Sequence, residues 1–282
     1  MNQRSASRTA MLVSALRARA SARPQPLCRD PWAAQLAGDV GMALADRHHE
    51  VYPASELWIA LRTAWIDGRI GRLCKPLGER TQVVLLGAGL DTRSARLGGD
   101  GLRWFEVDHP ASQALKVELL GELDGYPQGT ATFVRCDFET DDFIERLTEA
   151  GFDPEKPALF VWEGVTPYLS EAAVRDTVHR IASSCHPDTV LIYDHLEKKL
   201  VRGTPVDMAD AALKEMVDQL GEPFVFGIDD PLPLMVEEGY RQVRRVSFDE
   251  ICLALTGTYE RDRKFRFQHI VEASRNQLHS SW

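Results

Sequence analysis

Over the first eighty positions apolar residues recur every three or four places, and beyond them they fall into short runs separated by polar stretches. The first part predicts three helices. One covers about Ser5 to Ala22 and stops before Pro24 and Pro26. A second starts at Asp30, with Pro31 in the first helical position, and runs to about Asp46. The third runs from Ala54 to Leu77 with Leu57, Leu61, Ile66, Ile70 and Leu73 on one face, closed by Pro76 and Gly78. Downstream, strands are expected at 82–86, 103–107, 132–136, 158–162 and 189–194, with helices near 110–123, 141–150 and 171–184. This alternation predicts an α/β fold: a mostly parallel sheet, right-handed crossovers and helices on both faces. A helical insertion is expected at 206–220, between Gly203-Thr204-Pro205 and Gly221-Glu222-Pro223. Late strands at 242–248 and 264–271 would close the sheet as an antiparallel hairpin. The expected organisation is a helical cap over 1–80 packed on an α/β domain over 81–282, with the insertion at about 200–238.

The chain has 282 residues, 44% hydrophobic and 27% charged, enough for one large core. A net charge of −9 argues against a phosphate-backbone footprint, so no nucleic-acid partner is expected. No apolar run reaches the ~20 residues that span a bilayer, so no membrane partner is expected either. Six arginines and no acid precede Asp30, a composition seen in transit peptides. Met11, Leu12, Ala15 and Leu16 nevertheless keep helical spacing, and the expectation is a packed helix in a cytoplasmic protein. The five cysteines are scattered and never form C-x-x-C, so they read as buried free thiols. His48-His49 lacks a ligand set, and no metal is expected. Nothing in the sequence sets an oligomeric state.

Val83-Val84-Leu85-Leu86 breaks directly into Gly87-Ala88-Gly89-Leu90-Asp91-Thr92-Arg93, followed by a helical pattern. A strand, a glycine turn and a helix in that order mark a nucleotide-binding sheet. Thr92 stands where a dinucleotide fingerprint needs its third glycine, so the turn suits an adenosine-containing cofactor without a pyrophosphate. Ligands of such sheets lie beyond the carboxyl ends of the strands, and each end offers a candidate. Asp108, 21 positions after Gly87, suits ribose hydroxyls or a helix cap. Asp137 could accept from an adenine amine with Phe138 lining the base, or cap a helix. Glu163 would be costly to bury unpaired, and its partner is either a cofactor cation or an arginine. Arg62, on the third helix, either clamps a carboxylate or sits on a solvated face. Tyr193-Asp194-His195 ends the fifth strand, where His195 is a candidate general base or a structural histidine.

Taken together, Thr9-Ala10, Arg29-Asp30-Pro31-Trp32-Ala33, Arg62-Thr63, the glycine turn, Phe105 to Pro110, Cys136-Asp137-Phe138, Glu163-Gly164-Val165 and Tyr168-Leu169 resemble the leucine carboxyl methyltransferase family, including its bacterial S-adenosylmethionine-dependent branch. The resemblance covers about residues 5 to 195 and implies a class I methyltransferase fold of Rossmann-like type. It implies that Arg62 pairs with the methionine carboxylate of S-adenosylmethionine and that Gly87, with Ala88 and Gly89, approaches the amino-acid portion. It further implies that Asp108 holds the ribose, that Asp137 and the backbone at Phe138 read the adenine, and that Glu163 lies by the methionine moiety. Phosphatase-directed members carry a lysine in the N-terminal helix. Here Ser7-Arg8-Thr9-Ala10 stands in that region, which points to a small molecule instead.

The implied reaction is O-methylation of a small-molecule carboxylate in secondary metabolism. A carboxylate needs no general base, whereas a phenol or other hydroxyl acceptor would, with Tyr168 or His195 as candidates. The helical insertion would cover the acceptor. The alternatives are an NAD-dependent oxidoreductase on a similar sheet, which Thr92 disfavours, and a cofactor-binding protein that has lost catalysis.

Overall fold

The computed structural model describes residues 3–77, 81–99, 101–202, 208–258 and 267–276. The chain begins with helices α1 (Gln3–Ser21), α2 (Ala33–Val51) and α3 (Ala54–Leu77). Then follow β1 (Thr81–Leu86), α4 (Arg93–Arg96), β2 (Leu102–Asp108), α5 (Pro110–Gly121), β3 (Thr132–Arg135), α6 (Phe143–Glu149) and β4 (Ala158–Trp162). A 3-10 turn (Thr166–Tyr168) leads to α7 (Glu171–Ser184) and β5 (Val190–Leu196). The remainder is α8 (Lys198–Val201), α9 (Met208–Gln219), α10 (Leu232–Glu237), β6 (Gln242–Ser247), α11 (Phe248–Thr256) and β7 (Gln268–Ser274).

The strands form one seven-stranded sheet in the order β3-β2-β1-β4-β5-β7-β6. β7 lies antiparallel between β5 and β6, while β1 to β5 pair in parallel. β1 and β4 are buried along their whole length because helices cover both faces, which explains their continuous apolar runs. Alternation sorts the two faces. Val83, Leu85, Leu159 and Ile192 pack on the side of α1, α3 and α11, and Val84, Leu86, Phe160 and Tyr193 on the side of α6 and α7. Side chains of α1 to α3 share one apolar cluster with the first face.

Three expectations need correction. Asp30 does not cap α2. It is buried, its Oδ2 accepts from Arg17 Nε at 3.0 Å, and Oδ1 accepts from the Trp32 N–H across a turn. The helix begins at Ala33, is interrupted where Gly38 takes φ 58°, and continues to Val51. The helix after the glycine turn is a single turn, Arg93–Arg96. The closing pair β6–β7 is not a simple hairpin, since α11 separates its strands behind a Ser247–Glu250 capping box. Gly78, positions 203–207 and positions 264–266, which carried expected helix and strand boundaries, lie outside the described residues. Among the described residues no helix is long and apolar enough to cross a membrane. All five cysteines are buried and free.

Candidate active site

The turn after β1 folds sharply because two glycines take left-handed φ, 66° at Gly87 and 48° at Gly89. The Gly87 and Ala88 N–H groups both bond Val107 O, at 2.7 and 3.2 Å, which pins the turn to the end of β2. A Cβ on Gly87 would stand 2.3 Å from Val165 Cγ2. The bare backbone therefore floors a cavity of about 470 Å³ at the carboxyl ends of the strands, bordered also by α1, α3 and the 3-10 turn. That volume falls in the ~300–1,000 Å³ range of small-ligand sites.

Of the residues singled out from sequence, Arg62, Gly87, Ala88, Gly89, Asp108, Asp137, Phe138, Glu163 and Tyr168 all line this cavity. Asp108 is not the cap of α5; the His109 side chain takes that role, accepting from the Ala111 N–H. Asp108 instead accepts from Gly89 N–H at 2.5 Å and His109 N–H at 2.7 Å, one on each oxygen. Burial raises its carboxyl above the ordinary range, against the pull of those two bonds. Asp137 accepts from Glu139 N–H at 3.0 Å and leaves the cap of α6 to Asp142. Its neighbour Phe138 leans on Phe143 and Trp162, with ring centroids 6.0 and 6.4 Å away.

Behind the turn lies a buried charge network. Arg62 Nη1 donates to Asp194 Oδ2 at 2.6 Å, and its Nε lies 2.8 Å from Glu163 Oε1. The second Glu163 oxygen is 2.7 Å from Arg93, which also pairs with Asp91 and, at 2.6 Å, with Asp67 of α3. Burial opposes ionisation of Glu163, yet Arg93 and Arg62 hold its carboxyl below the usual range. Asp194 goes the other way: burial outweighs Arg62 and the Gly164 N–H, and its carboxyl is raised. Of the two readings left open for Glu163, the structure shows the arginine partners, and the carboxylate also lines the cavity.

His195 is not part of this site. Strand parity turns Asp194 toward α3 and sends His195 to the opposite face of β5, where its ring stacks on His269 at 5.3 Å. Burial lowers it to about 4. Tyr168 does reach the cavity, its ring 5.5 Å from Phe224. Burial pushes its phenol up.

Sequence reading missed several contributors. Arg17 of α1 donates to Leu90 O at 2.5 Å and pairs with Asp30, which accepts from Thr92 Oγ1 at 2.8 Å. This stitches the first helix to the glycine turn, and Thr9, Ala10 and Val13 bring the same helix into the cavity wall. Glu222, from the segment after α9, also lines the cavity. The i, i+4 spacing of Val13 and Arg17 was the available signal for α1; a lone acid between glycine and proline offered none for Glu222.

The model of the leucine carboxyl methyltransferase family matches residues 10–182. The chain belongs to the leucine carboxyl methyltransferase family. Within that family's reach lie similar bacterial proteins. One of Mycolicibacterium vanbaalenii, assigned as an S-adenosyl-L-methionine-dependent methyltransferase, is 31% identical over 248 residues, covering 83% of this chain and 77% of its own. Another of Mycolicibacterium smegmatis, assigned likewise, is 33% identical over 205 residues, 68% of each chain. Among solved structures, a DUF574 family protein of Streptomyces avermitilis superposes with TM-score 0.64 at 11% identity, over 93% of this chain and 97% of that one. A Thermobifida fusca protein assigned as a methyltransferase gives 0.61 at 16% identity, over 95% and 94%. These two likenesses concern the fold alone, a mostly parallel sheet flanked by helices.

Proposed function

We propose that this chain transfers the methyl group of S-adenosylmethionine to a carboxylate oxygen of a small-molecule acceptor, of the kind found in secondary metabolism. Family membership and the assigned activity of its relatives support methyl transfer from that cofactor. The observation that carries the cofactor reading is the convergence of Arg62, the Gly87 turn, Asp108 and Asp137 on one cavity from four separate stretches of chain.

The residues fit the cofactor. A floor without Cβ at Gly87 admits a close backbone approach. Each Asp108 oxygen takes one backbone N–H, and a carboxylate has about four acceptor positions, so two hydroxyls of a ribose find partners. A half-exposed Asp137 beside the Phe138 ring suits an amino-substituted base. Arg62 would face the methionine carboxylate, and Glu163 the adjoining ammonium. When bound, the cofactor supplies a methyl group made electrophilic by a sulfonium. The chain's part is to align an acceptor oxygen with that methyl and to keep water out.

The acceptor is inferred from what the cavity does not require. A carboxylate is ionised near neutral pH, so no side chain has to remove its proton. Of the two bases considered, His195 points elsewhere and Tyr168 is a phenol made less acidic by burial. Incubation with methyl-labelled cofactor and a panel of small carboxylic acids should give label released as methanol by mild alkali. Alkali-stable label would overturn the carboxylate. It would favour a hydroxyl acceptor. Preference for NAD over S-adenosylhomocysteine in a binding titration would overturn the cofactor.

A further inference from the structure

Six carboxylates line the cavity: Asp91, Asp108, Asp137, Glu139, Glu163 and Glu222. Five have visible compensation. Asp91 pairs with Arg93, and Glu163 with Arg93 and Arg62. Asp108 takes two backbone N–H groups. Asp137 and Glu139 stand on the open rim, bonded to the Glu139 N–H and to Ser170 respectively. Glu222 is the exception. It is 5% exposed, and among the described residues no cation pairs with it. Its near neighbours are the Thr9 hydroxyl and, bearing like charge, Asp108. Burial raises its carboxyl to about 7, against the Thr9 hydroxyl and with the help of Asp108. A buried acid left in this state is neutral until a cation arrives.

Its place in the cavity says which cation. Glu222 lines the same wall as Asp108, Tyr168, Glu163 and Arg62. The cofactor carries two cations, and in the placement argued above Glu163 faces the ammonium. The sulfonium is left, and among the described residues Glu222 is the buried wall carboxylate still without a cation. We propose that Glu222 is the counter-charge of the cofactor's sulfonium, giving up its proton to solvent when S-adenosylmethionine binds and regaining one when the neutral S-adenosylhomocysteine remains. The loaded and spent cofactors are thereby told apart by a carboxylate on the covering segment, after α9, rather than on the sheet. This rests on the cofactor reading and is independent of the acceptor.

The linkage has a definite sign. Below about 7 the free protein carries the Glu222 proton, so S-adenosylmethionine binding releases it and tightens as pH rises toward that point. S-adenosylhomocysteine lacks the sulfonium and shows no such release from this group. The other titratable and charged groups on the wall are Asp91 held by Arg93, Asp108 and His109 at the end of β2, Cys136, Asp137 and Glu139 after β3, Tyr168, the Arg62–Glu163 pair, and Arg17 already held by Asp30.

The test is calorimetric titration of the whole protein with each ligand, in buffers of differing ionisation enthalpy. At pH 6.5 a group titrating about 7 is roughly three-quarters protonated, so S-adenosylmethionine should release roughly 0.75 proton more than S-adenosylhomocysteine. Glu222→Gln, close to isosteric, should melt at the wild-type temperature and abolish that difference. At pH 8 it should also lower the preference for S-adenosylmethionine by about a hundredfold, the roughly two pKa units that near-complete release at pH 6.5 requires. His109→Gln should keep the difference. Equal proton release by both ligands, a difference surviving in Glu222→Gln, or its loss in His109→Gln would each overturn the assignment while leaving the cofactor reading intact. Failure of both ligands to bind would overturn the two together.

Discussion

Asp108 spends one acceptor position of each oxygen on backbone and keeps the others for a ligand. Replacing it by alanine removes a charged hydrogen bond, and S-adenosylhomocysteine affinity should fall by about 1–3 kcal/mol, measured by titration calorimetry. Asp137→Ala should cost a similar amount, and unchanged affinity in both folded variants would remove the assigned ribose and base contacts. Because burial raises the Asp108 carboxyl, wild-type affinity should begin to fade on acidification at a pH above the ordinary aspartate range of about 3.9. Arg62 presents a different balance. Truncation to alanine leaves buried Asp194 without a cation and buried Glu163 with Arg93 alone, and should cost about 3–5 kcal/mol of stability at neutral pH. With the guanidinium gone the folded state favours protonated carboxyls, so their folded pKa values rise and the deficit should shrink as pH falls. Urea unfolding at pH 7 and pH 5.5 compares the two; a deficit independent of pH would mean the loss is one of packing.

At the level of elements, a single guanidinium of α1 ties that helix to the glycine turn. Arg17 joins Leu90 O and Asp30, and Asp30 holds Thr92. Arg17→Ala should therefore loosen the glycine turn as well as the helix, lowering both melting temperature and cofactor affinity. Arg19→Ala, which loses partly exposed pairs with Asp46 and Glu56, should leave affinity unchanged. How much could be read from sequence follows the same division. β4 and α7 were legible to the residue, because a run of five apolar positions and a Ser170 cap leave little choice. The single turn at Arg93–Arg96 was not, since apolar spacing after the glycines looks helical while Arg93 and Arg96 are in fact tied to Asp67 of α3. α11 carried a readable signature, serine with glutamate three places on, that was absorbed into an over-long strand. In the site, the strand-end acids were legible because sheet topology fixes where ligands lie. His195 misled because one residue of strand parity decides the face. Glu222 lay beyond reach because a covering loop has no period.

At the scale of the whole molecule, ligand and fold are linked through the cavity that joins α1, α3 and the sheet. S-adenosylhomocysteine at 100 times its dissociation constant should add about 2.7 kcal/mol, raising the melting temperature by roughly 5–10 °C, whereas NAD should leave it in place. A shift with NAD alone would reverse the assignment of the cavity. The sheet also imposes a timetable. Among the described residues β6 has one lateral neighbour, β7, and that strand starts about 21 residues after β6 ends. At a translation rate of ~5–20 residues per second, β6 emerges roughly 1–4 s before that neighbour, and β5, which ends about 72 residues before β7, waits with an open edge for roughly 4–14 s. Arg244 and Arg245, exposed on β6, put two positive charges on the waiting strand and discourage pairing with a neighbouring nascent chain. Their replacement by valine should leave the finished protein's melting temperature nearly unchanged and raise the fraction lost to aggregation during synthesis.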